Sequence, residues 1–323
     1  MTNIDAPTVT IGITAFNCED TLRRAVASAL EQDYQYTDIL IVDDCSTDRT
    51  HTIAIELAAS HKGIRVIRAQ QNGGVAASRN LIINNTDSDF IVFFDDDDVS
   101  VSNRVTAQIK SILACEQDDH TKLVICHTAR LVEYLTGHIR YEPSLAQTVG
   151  SKGVHGPLAE AILCGTNNKD HQGACATCSQ MARTTTYQQV GGFDENLRRS
   201  EDTEFSIRAA ELDATFVGLA VPLVQQYMTK GDDKSLELEL EQWRYIFRKH
   251  QSIVERRIAY SFAVRWLKLK HLWLGQNYIT FAFNLAFMFA TSPIQTAKKI
   301  FLSLPNISLN SAMSNFHNNH KRR

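Results

Sequence analysis

Between residues 8 and 98, four short runs rich in β-branched and aromatic residues alternate with three segments of helical character. The runs are "TVTIGITAF" (8–16), "DILIVDD" (38–44), "GIRVIRA" (63–69) and "DFIVFFDDDD" (89–98). Between them, "NCEDTLRRAVASALEQ" sets Leu22, Val26, Ala29 and Leu30 at helical spacing, with Asn17 as a candidate N-cap. "STDRTHTIAIELAAS" reads as a helix capped near Ser46 or Thr47, and "GGVAASRNLIINN" as a helix entered through two glycines. Strands that stay apolar on both sides need cover on both faces. The pattern predicts an α/β fold, Rossmann-like, with a mostly parallel central sheet flanked by helices.

In such sheets the ligand site lies beyond the carboxyl ends of the strands. That rule puts Asp43, Asp44 and the run Asp95–Asp98 along one edge, with Thr14 and Asn17 beside them. Four neighbouring carboxylates repel one another. A divalent cation would relieve the repulsion, and carboxylates are the hard oxygen ligands that Mg²⁺ or Mn²⁺ takes. Alternate residues of an extended chain face the same way, so Asp95 and Asp97 are candidates to share one ion. A solvated acidic turn without an ion fits the run alone equally well.

The 323 residues suggest one large domain with an appendage, and 44% hydrophobic with 21% charged residues is ordinary globular composition. The middle of the chain predicts a β-hairpin about Thr136–Gly137, a short helix at "PLAEAILCG" and a strand at "GACATCSQMAR". A glycine turn in "VGGFDENL" follows. Glu201–Asp202 then opens a helix whose cap is Ser200. The seven cysteines are odd in number and irregular in spacing. "CATC" (175–178) has no second pair to complete a zinc site. No signal peptide is visible at "MTNIDAPTVT", so the expectation is a reducing cytoplasm.

From about Ser235 the character changes. Leu236, Leu240, Trp243 and Phe247 form one helical stripe, and Val254, Ile258, Phe262, Trp266, Leu269 and Trp273 another. "YITFAFNLAFMFAT" is apolar but falls short of the ~20 residues a membrane span needs. Residues 244–323 carry 13 Lys/Arg against the single acid Glu255, while residues 1–243 carry 35 acids and 20 Lys/Arg. A basic amphipathic tail with Trp and Phe suits peripheral contact with an anionic membrane, at the inner face of the cell membrane. A helical cap on the preceding domain is the competing reading. No nucleic-acid motif accompanies the charge, so nucleic acid is not an expected partner. The stretch from Ser314 is expected to be disordered.

"IVDDCSTDRT", "NGGVAASRN", "FFDDDD" and "VGGFDENLRRSED" follow in that order. This succession, over about residues 8–230, resembles the family 2 glycosyltransferases, which share the GT-A fold. The resemblance implies a catalytic domain over 1–234, with a nucleotide-sugar-binding half at about 8–100 and an acceptor half at 101–234, then a helical extension over 235–323. It implies that Asp44 binds the donor's base, commonly uracil, with Asp43 and Thr14 completing that pocket, and that Arg79 lies near the donor diphosphate. Asp95 and Asp97 match the family's D-x-D element and Asp98 the acid after it. They would hold Mg²⁺ or Mn²⁺ against the diphosphate, with Asp96 as an unusual extra acid on the donor side. Glu201–Asp202 resembles the family's ED motif, with Asp202 as general base and Glu201 orienting the acceptor.

The implied reaction moves a sugar from a nucleotide-diphosphate sugar, commonly a UDP-sugar, to a hydroxyl with inversion. The acceptor would be a saccharide or lipid-linked saccharide, as in cell-surface polysaccharide or glycolipid assembly. Two alternatives stand beside it. A sugar-nucleotide nucleotidyltransferase would need a Gly-rich, basic N-terminal phosphate loop, which "TAFNCEDTLRR" lacks. A non-catalytic nucleotide-sugar-binding protein on the same fold would have less use for both acidic motifs.

Overall fold

The computed structural model of the chain describes residues 6–119, 123–228 and 235–303. It divides into two compact units. One comprises Met1–Leu158 with Asn168–Thr229, and the other Ala159–Asn167 with Lys230–Arg323.

The first unit opens with strict alternation: β1 (Val9–Ala15), α1 (Leu22–Leu30), β2 (Thr37–Asp43), α2 (Thr50–Ser60), β3 (Ile64–Arg68), α3 (Val75–Asn84) and β4 (Phe90–Asp95). All pairings among these four strands are parallel. There follow β5 (Val99–Ser100), α4 (Arg104–Asp119), β6 (Val124–Glu133) and β7 (Ile139–Glu142), then α5 (Leu158–Cys164), which from Ala159 on belongs to the second unit, and in the first unit again β8 (Gln180–Arg183), α6 (Thr184–Val190), α7 (Glu201–Glu211) and β9 (Thr215–Tyr227). Among the described residues the strands form one sheet in the order β3-β2-β1-β4-β8-β6-β9-β5, with β7 beside β6.

Both faces of the β1–β4 half are covered. Ile11, Ile13, Ile39, Ile41 and Val92 cluster with Leu22 and Val26 of α1, Ile53 of α2, and Val105 and Ile112 of α4. On the opposite face Ile82 of α3 lies so close to Gly12 that a Cβ there would meet it at 2.7 Å. Each fully buried Ile, Leu or Phe contributes about 1.5–3 kcal/mol.

The sheet is more mixed than its first half. β8 runs antiparallel to both β4 and β6, whereas β6 and β9 are parallel. The hairpin expected at Thr136–Gly137 is β6–β7, with Gly137 at φ 77°. The strand expected across "GACATCSQMAR" begins only at Gln180, because Thr177–Ser179 form a turn of 3-10 helix.

Two expected caps are placed differently, and a third holds its N-cap position without a side-chain bond. Asn17 lies ahead of α1 at φ 47°, and its Oδ1 accepts from the Thr47 N–H at 2.9 Å. Ser46 Oγ accepts from the Asn17 N–H at 3.0 Å, and it is Asp48 that accepts from Thr50 at the start of α2. Ser200 stands at φ 61° and makes no side-chain cap. In the first two cases the side chains tie the β1–α1 loop to the β2–α2 loop instead of ending a helix. That stiffens the edge where the strands stop.

The second unit adds α8 (Leu236–Lys249), α9 (Gln251–Glu255), α10 (Tyr260–Leu274), α11 (Tyr278–Thr291) and α12 (Pro293–Ser303) to Ala159–Asn167. Ser235 Oγ caps α8 by accepting from the Leu238 N–H. The stripe expected from Val254 to Trp273 is not one helix, because the chain leaves helical geometry between Glu255 and Tyr260. Arg257 pairs with Glu160, and Lys299 Nζ donates to the Cys164 carbonyl. No helix among the described residues is long and apolar enough to cross a membrane. The expected disorder from Ser314 falls outside the described residues.

Candidate active site

The parallel register brings the strand ends level. Thr14 stands between Val42 of β2 and Asp95 of β4, and Ala15 stands opposite Asp43. Thr14, Asp43 and Asp95 therefore share the carboxyl edge of the sheet.

Beyond Asp95 the strand stops and the chain turns through Asp96 and Asp97. The alternation that would pair Asp95 with Asp97 requires extended backbone, which ends at Asp95. The turn instead returns Asp98, and ligand atoms of Asp95, Asp98 and Cys178 lie within 4.8 Å of one another. Asp98 Oδ1 accepts from the Tyr227 N–H at 3.0 Å, while its Oδ2 is buried without a hydrogen-bond partner. Burial, then the charges of Asp95 and Asp97, holds the Asp98 carboxyl well above the usual carboxylate range. A buried orphan carboxylate oxygen facing a second carboxylate fits a hard divalent cation. Burial raises the Cys178 thiol too, which keeps it neutral and a weak ligand.

Asp96 Oδ2 accepts from the Phe16 N–H at 3.1 Å, so the extra acid of the run ties the β4 turn to the end of β1. Burial, then Asp97, pushes its carboxyl up to about 7. The Asp97 carbonyl accepts from Arg24 Nη2 at 2.6 Å.

Arg79 joins the two acidic motifs. Its Nη1 pairs with Glu201 at the start of α7, and its Nη2 lies 3.3 Å from Asp95 Oδ1. The guanidinium sits over the Phe193 ring at 5.4 Å and near Phe93 at 5.9 Å. Burial alone would lower its affinity for the proton, but Glu201, Asp95 and Asp202 outweigh it and keep the fork charged. Glu201 is itself raised, by burial first, against the opposing pull of Arg79. Thus both ends of the Arg79 fork meet carboxylates.

Both acids of the "VDD" pair are buried and engaged. Asp43 Oδ1 accepts from the Ser46 N–H, and its Oδ2 faces His51 Nδ1 and Arg68 Nε, each at 3.3 Å. Asp44 accepts with both oxygens, from Gly73 N–H at 2.9 Å and Gly74 N–H at 2.8 Å. The two glycines ahead of α3 thus present orphan helix-start donors to one carboxylate.

Asp202 is half-buried at the first turn of α7, where its Oδ1 accepts from the Thr203 N–H at 2.6 Å. The residue before the pair, Ser200, is left-handed, as are Asn17 after β1 and Cys45 after β2. Non-glycine residues in that region carry strain that gathers at functional sites.

Sequence reasoning missed the support beneath the acids. Arg104 is fully buried and donates to Ser100 Oγ, the Phe93 carbonyl and Gln108 Oε1. Gln108 Nε2 continues to the carbonyls of Cys126 and Ser179. Burial lowers the Arg104 guanidinium to about 10, so it remains charged at neutral pH. In sequence this arginine is one basic residue at a helix start, with nothing to mark it as interior.

The family model for glycosyl transferase family 2 matches residues 10–128. The chain is 38% identical over 103 residues to an Escherichia coli UDP-Glc:alpha-D-GlcNAc-diphosphoundecaprenol beta-1,3-glucosyltransferase, WfaP. That match covers 31% of this chain and 39% of that protein. It is 27% identical over 146 residues to an uncharacterized glycosyltransferase of Haemophilus influenzae, covering 41% of this chain and 58% of the relative. The matches thus span less than two thirds of either relative. Among solved structures, S. aureus TarS 1–349 in complex with UDP-GlcNAc shares the fold at a TM-score of 0.57 and 20% identity, covering 88% of this chain and 76% of that one. The UDP complex of the same protein gives 0.56 and 19%, covering 82% and 72%. The matched segment runs from β1 into β6 and contains the β1, β2 and β4 ends described above, and over that segment the chain is similar to glycosyl transferase family 2.

Proposed function

We propose that this chain transfers a sugar from a nucleoside-diphosphate sugar, of the UDP class, to a saccharide hydroxyl with inversion at the anomeric carbon. The observation that carries the reading is the meeting of Asp95, Arg79 and Glu201. Three motifs distant in sequence converge at the carboxyl edge of one sheet.

The residues divide the work as follows. Thr14, Asp43 and Asp44 form the floor of the base and ribose pocket, Asp44 doing so while it holds the Gly73–Gly74 turn. Asp95 and Asp98, with Asp97 beside them, would hold a divalent cation. When bound, that ion neutralises charge building on the leaving diphosphate. Arg79 fixes Asp95 relative to Glu201. Asp202 takes the proton of the acceptor hydroxyl as its oxygen bonds to the anomeric carbon. The bond from that carbon to the diphosphate oxygen breaks, and the nucleoside diphosphate departs with the electron pair. A single displacement inverts the centre without a covalent enzyme intermediate.

The printed name of one relative supports a reading of the acceptor class. WfaP is named for a diphosphoundecaprenol-linked sugar, and a lipid-linked saccharide is proposed here by that likeness. The test is UDP release over a panel of UDP-sugars with Mn²⁺ or Mg²⁺, with and without saccharide acceptors. Turnover that depends on acceptor and vanishes in Asp202→Asn supports the reading; undiminished turnover in that variant removes Asp202 as the base.

A further inference from the structure

Helix α11 is apolar on two sides. Phe281, Leu285 and Met288 pack on Phe262, Trp266 and Leu269 of α10. Ile279, Ala282, Phe283, Ala286, Phe287 and Ala290 recur at i, i+3, i+4, i+7, i+8 and i+11, which is one helix face, and every one of them is exposed. Ile279 is 77% exposed, Phe283 74% and Phe287 51%; on α12, Ile294 is 83% and Phe301 67% exposed. A helix apolar all round is ordinarily enclosed, and an exposed apolar stripe of this kind marks an interaction surface.

Charge selects the occupant. Residues 244–303 hold ten Lys/Arg and one acid, Glu255. Arg265 on α10 lays its guanidinium over the Phe287 ring at 4.6 Å, and Lys268 is exposed one turn further on. Lys298 is exposed on α12, between Ile294 and Phe301. Trp273 and Tyr278 stack edge-on at 5.4 Å where α10 passes into α11, both partly exposed. A second copy docked two-fold on this face would set these cations against their own copies. An anionic lipid surface meets all of these features at once. It takes phenylalanines at the acyl boundary, indole and phenol rings at headgroup level, and Lys/Arg among the phosphates. At ~1.5 Å per residue, the 14 residues of α11 reach ~21 Å, short of a ~30 Å hydrocarbon core, so the helix lies in the surface.

We propose that the outer face of α11, with Ile294 and Phe301 of α12 as further contacts, docks this chain on an anionic bilayer. The proposal does not rest on the sugar-transfer reading, and its readout is separate from UDP release.

The test is co-sedimentation of the full chain with phosphatidylcholine vesicles and with vesicles containing about 30% phosphatidylglycerol. Binding to the anionic vesicles is expected, and it should fall at least about tenfold in Phe283→Ser/Phe287→Ser. Arg265→Gln/Lys268→Gln should weaken it too, as should raising the salt from about 0.1 to 0.5 M. Val221→Ser, removing an apolar side chain 61% exposed in the other unit, should leave it unchanged. Circular dichroism and melting confirm that each variant is folded. Wild-type protein that ignores both vesicle types, or a folded phenylalanine double variant that binds like wild type, overturns the proposal. So does a wild-type dimer that the same substitutions turn into monomer while neither binds vesicles.

Discussion

Arg79 of α3 and Glu201 of α7 form a buried ion pair across 122 residues of sequence. Because Arg79 also reaches Asp95, one side chain fixes the distance between the ends proposed to hold the cation and to accept the proton. Removing the arginine would leave two carboxylates facing each other without compensation. Breaking such a pair costs about 3–5 kcal/mol, most of it the penalty of the stranded charge. Arg79→Met is therefore expected to lower stability by that order. Arg79→Met/Glu201→Met should recover much of it while sugar transfer stays impaired. Arg79→Lys is expected to restore charge but not the fork that spans both acids. Chemical denaturation of the single and double variants, read as a cycle, checks the pair.

Asp202 is half-buried and stands at a helix start, so Asp202→Asn should fold like wild type. A general base contributes about 10²–10⁴-fold, and the turnover number is expected to fall in that range with donor affinity nearly unchanged. The pairing of a steady-state assay with direct titration of UDP separates the two effects. Loss of UDP affinity in step with turnover would instead make Asp202 a donor contact.

A cation at Asp95 and Asp98 would neutralise a carboxylate oxygen that is buried and unpartnered. A ligand that binds only the folded state stabilises it by about 2.7 kcal/mol at a hundredfold excess over Kd. Mn²⁺ or Mg²⁺ is thus expected to raise the melting temperature of wild-type protein and to do so far less in Asp95→Asn. Asp98→Asn should melt higher than wild type in EDTA, because a neutral amide is easier to bury than a carboxylate, and should gain least from the ion. Equal shifts in all three proteins would place the ion elsewhere.

The part of the fold legible in sequence was the part set by local pattern. The strands β1 to β4 and their helices follow from apolar runs and spacing, and the carboxyl-edge rule then predicted that Thr14, Asp43 and Asp95 gather there. What was not legible depended on where side chains found partners. Asn17, Ser46 and Ser200 have the right chemistry for N-caps, yet two of them bond across loops and the third is left-handed. Alternation paired Asp95 with Asp97 because nothing in "FFDDDD" marks the residue at which the strand becomes a turn. Arg104 resembles a surface arginine in sequence; only the carbonyls and hydroxyl that converge on it make it interior.

His127 of β6 gives the first unit an acid-labile point. It is fully buried and stacked parallel on Phe216, and burial, then the Arg130 charge, lowers its imidazole to about 3. Below about 6.5 the unfolded chain binds a proton that the folded chain refuses, so stability falls with falling pH from about 6.5 towards 3. The slope is up to about 1.4 kcal/mol per pH unit. His127→Gln, which can still meet Gln180, is expected to flatten that limb of the stability–pH curve while changing little at pH 8. Urea melts from pH 4 to 8 measure it, and parallel curves for the two proteins would assign the acid limb to other groups.

Asp44 links pocket and helix in one carboxylate. In Asp44→Ala the N–H groups of Gly73 and Gly74 lose their acceptor, and each buried unsatisfied donor costs about 1–3 kcal/mol. Asp44→Asn keeps an oxygen for one of them but turns an amide N–H₂ towards the other. It is expected to destabilise by about half as much. Gly74 cannot be exchanged freely either: its φ is 85°, and a Cβ would meet Arg198 Nη1 at 2.5 Å. If Asp44 serves the donor's base while holding this turn, Asp44→Asn should weaken UDP binding more than Gly74→Ala at equal loss of stability, because only the first alters the group that meets the ring. Isothermal titration with UDP on variants matched by melting temperature makes the comparison. Equal weakening would reduce Asp44 to a clamp on the α3 turn.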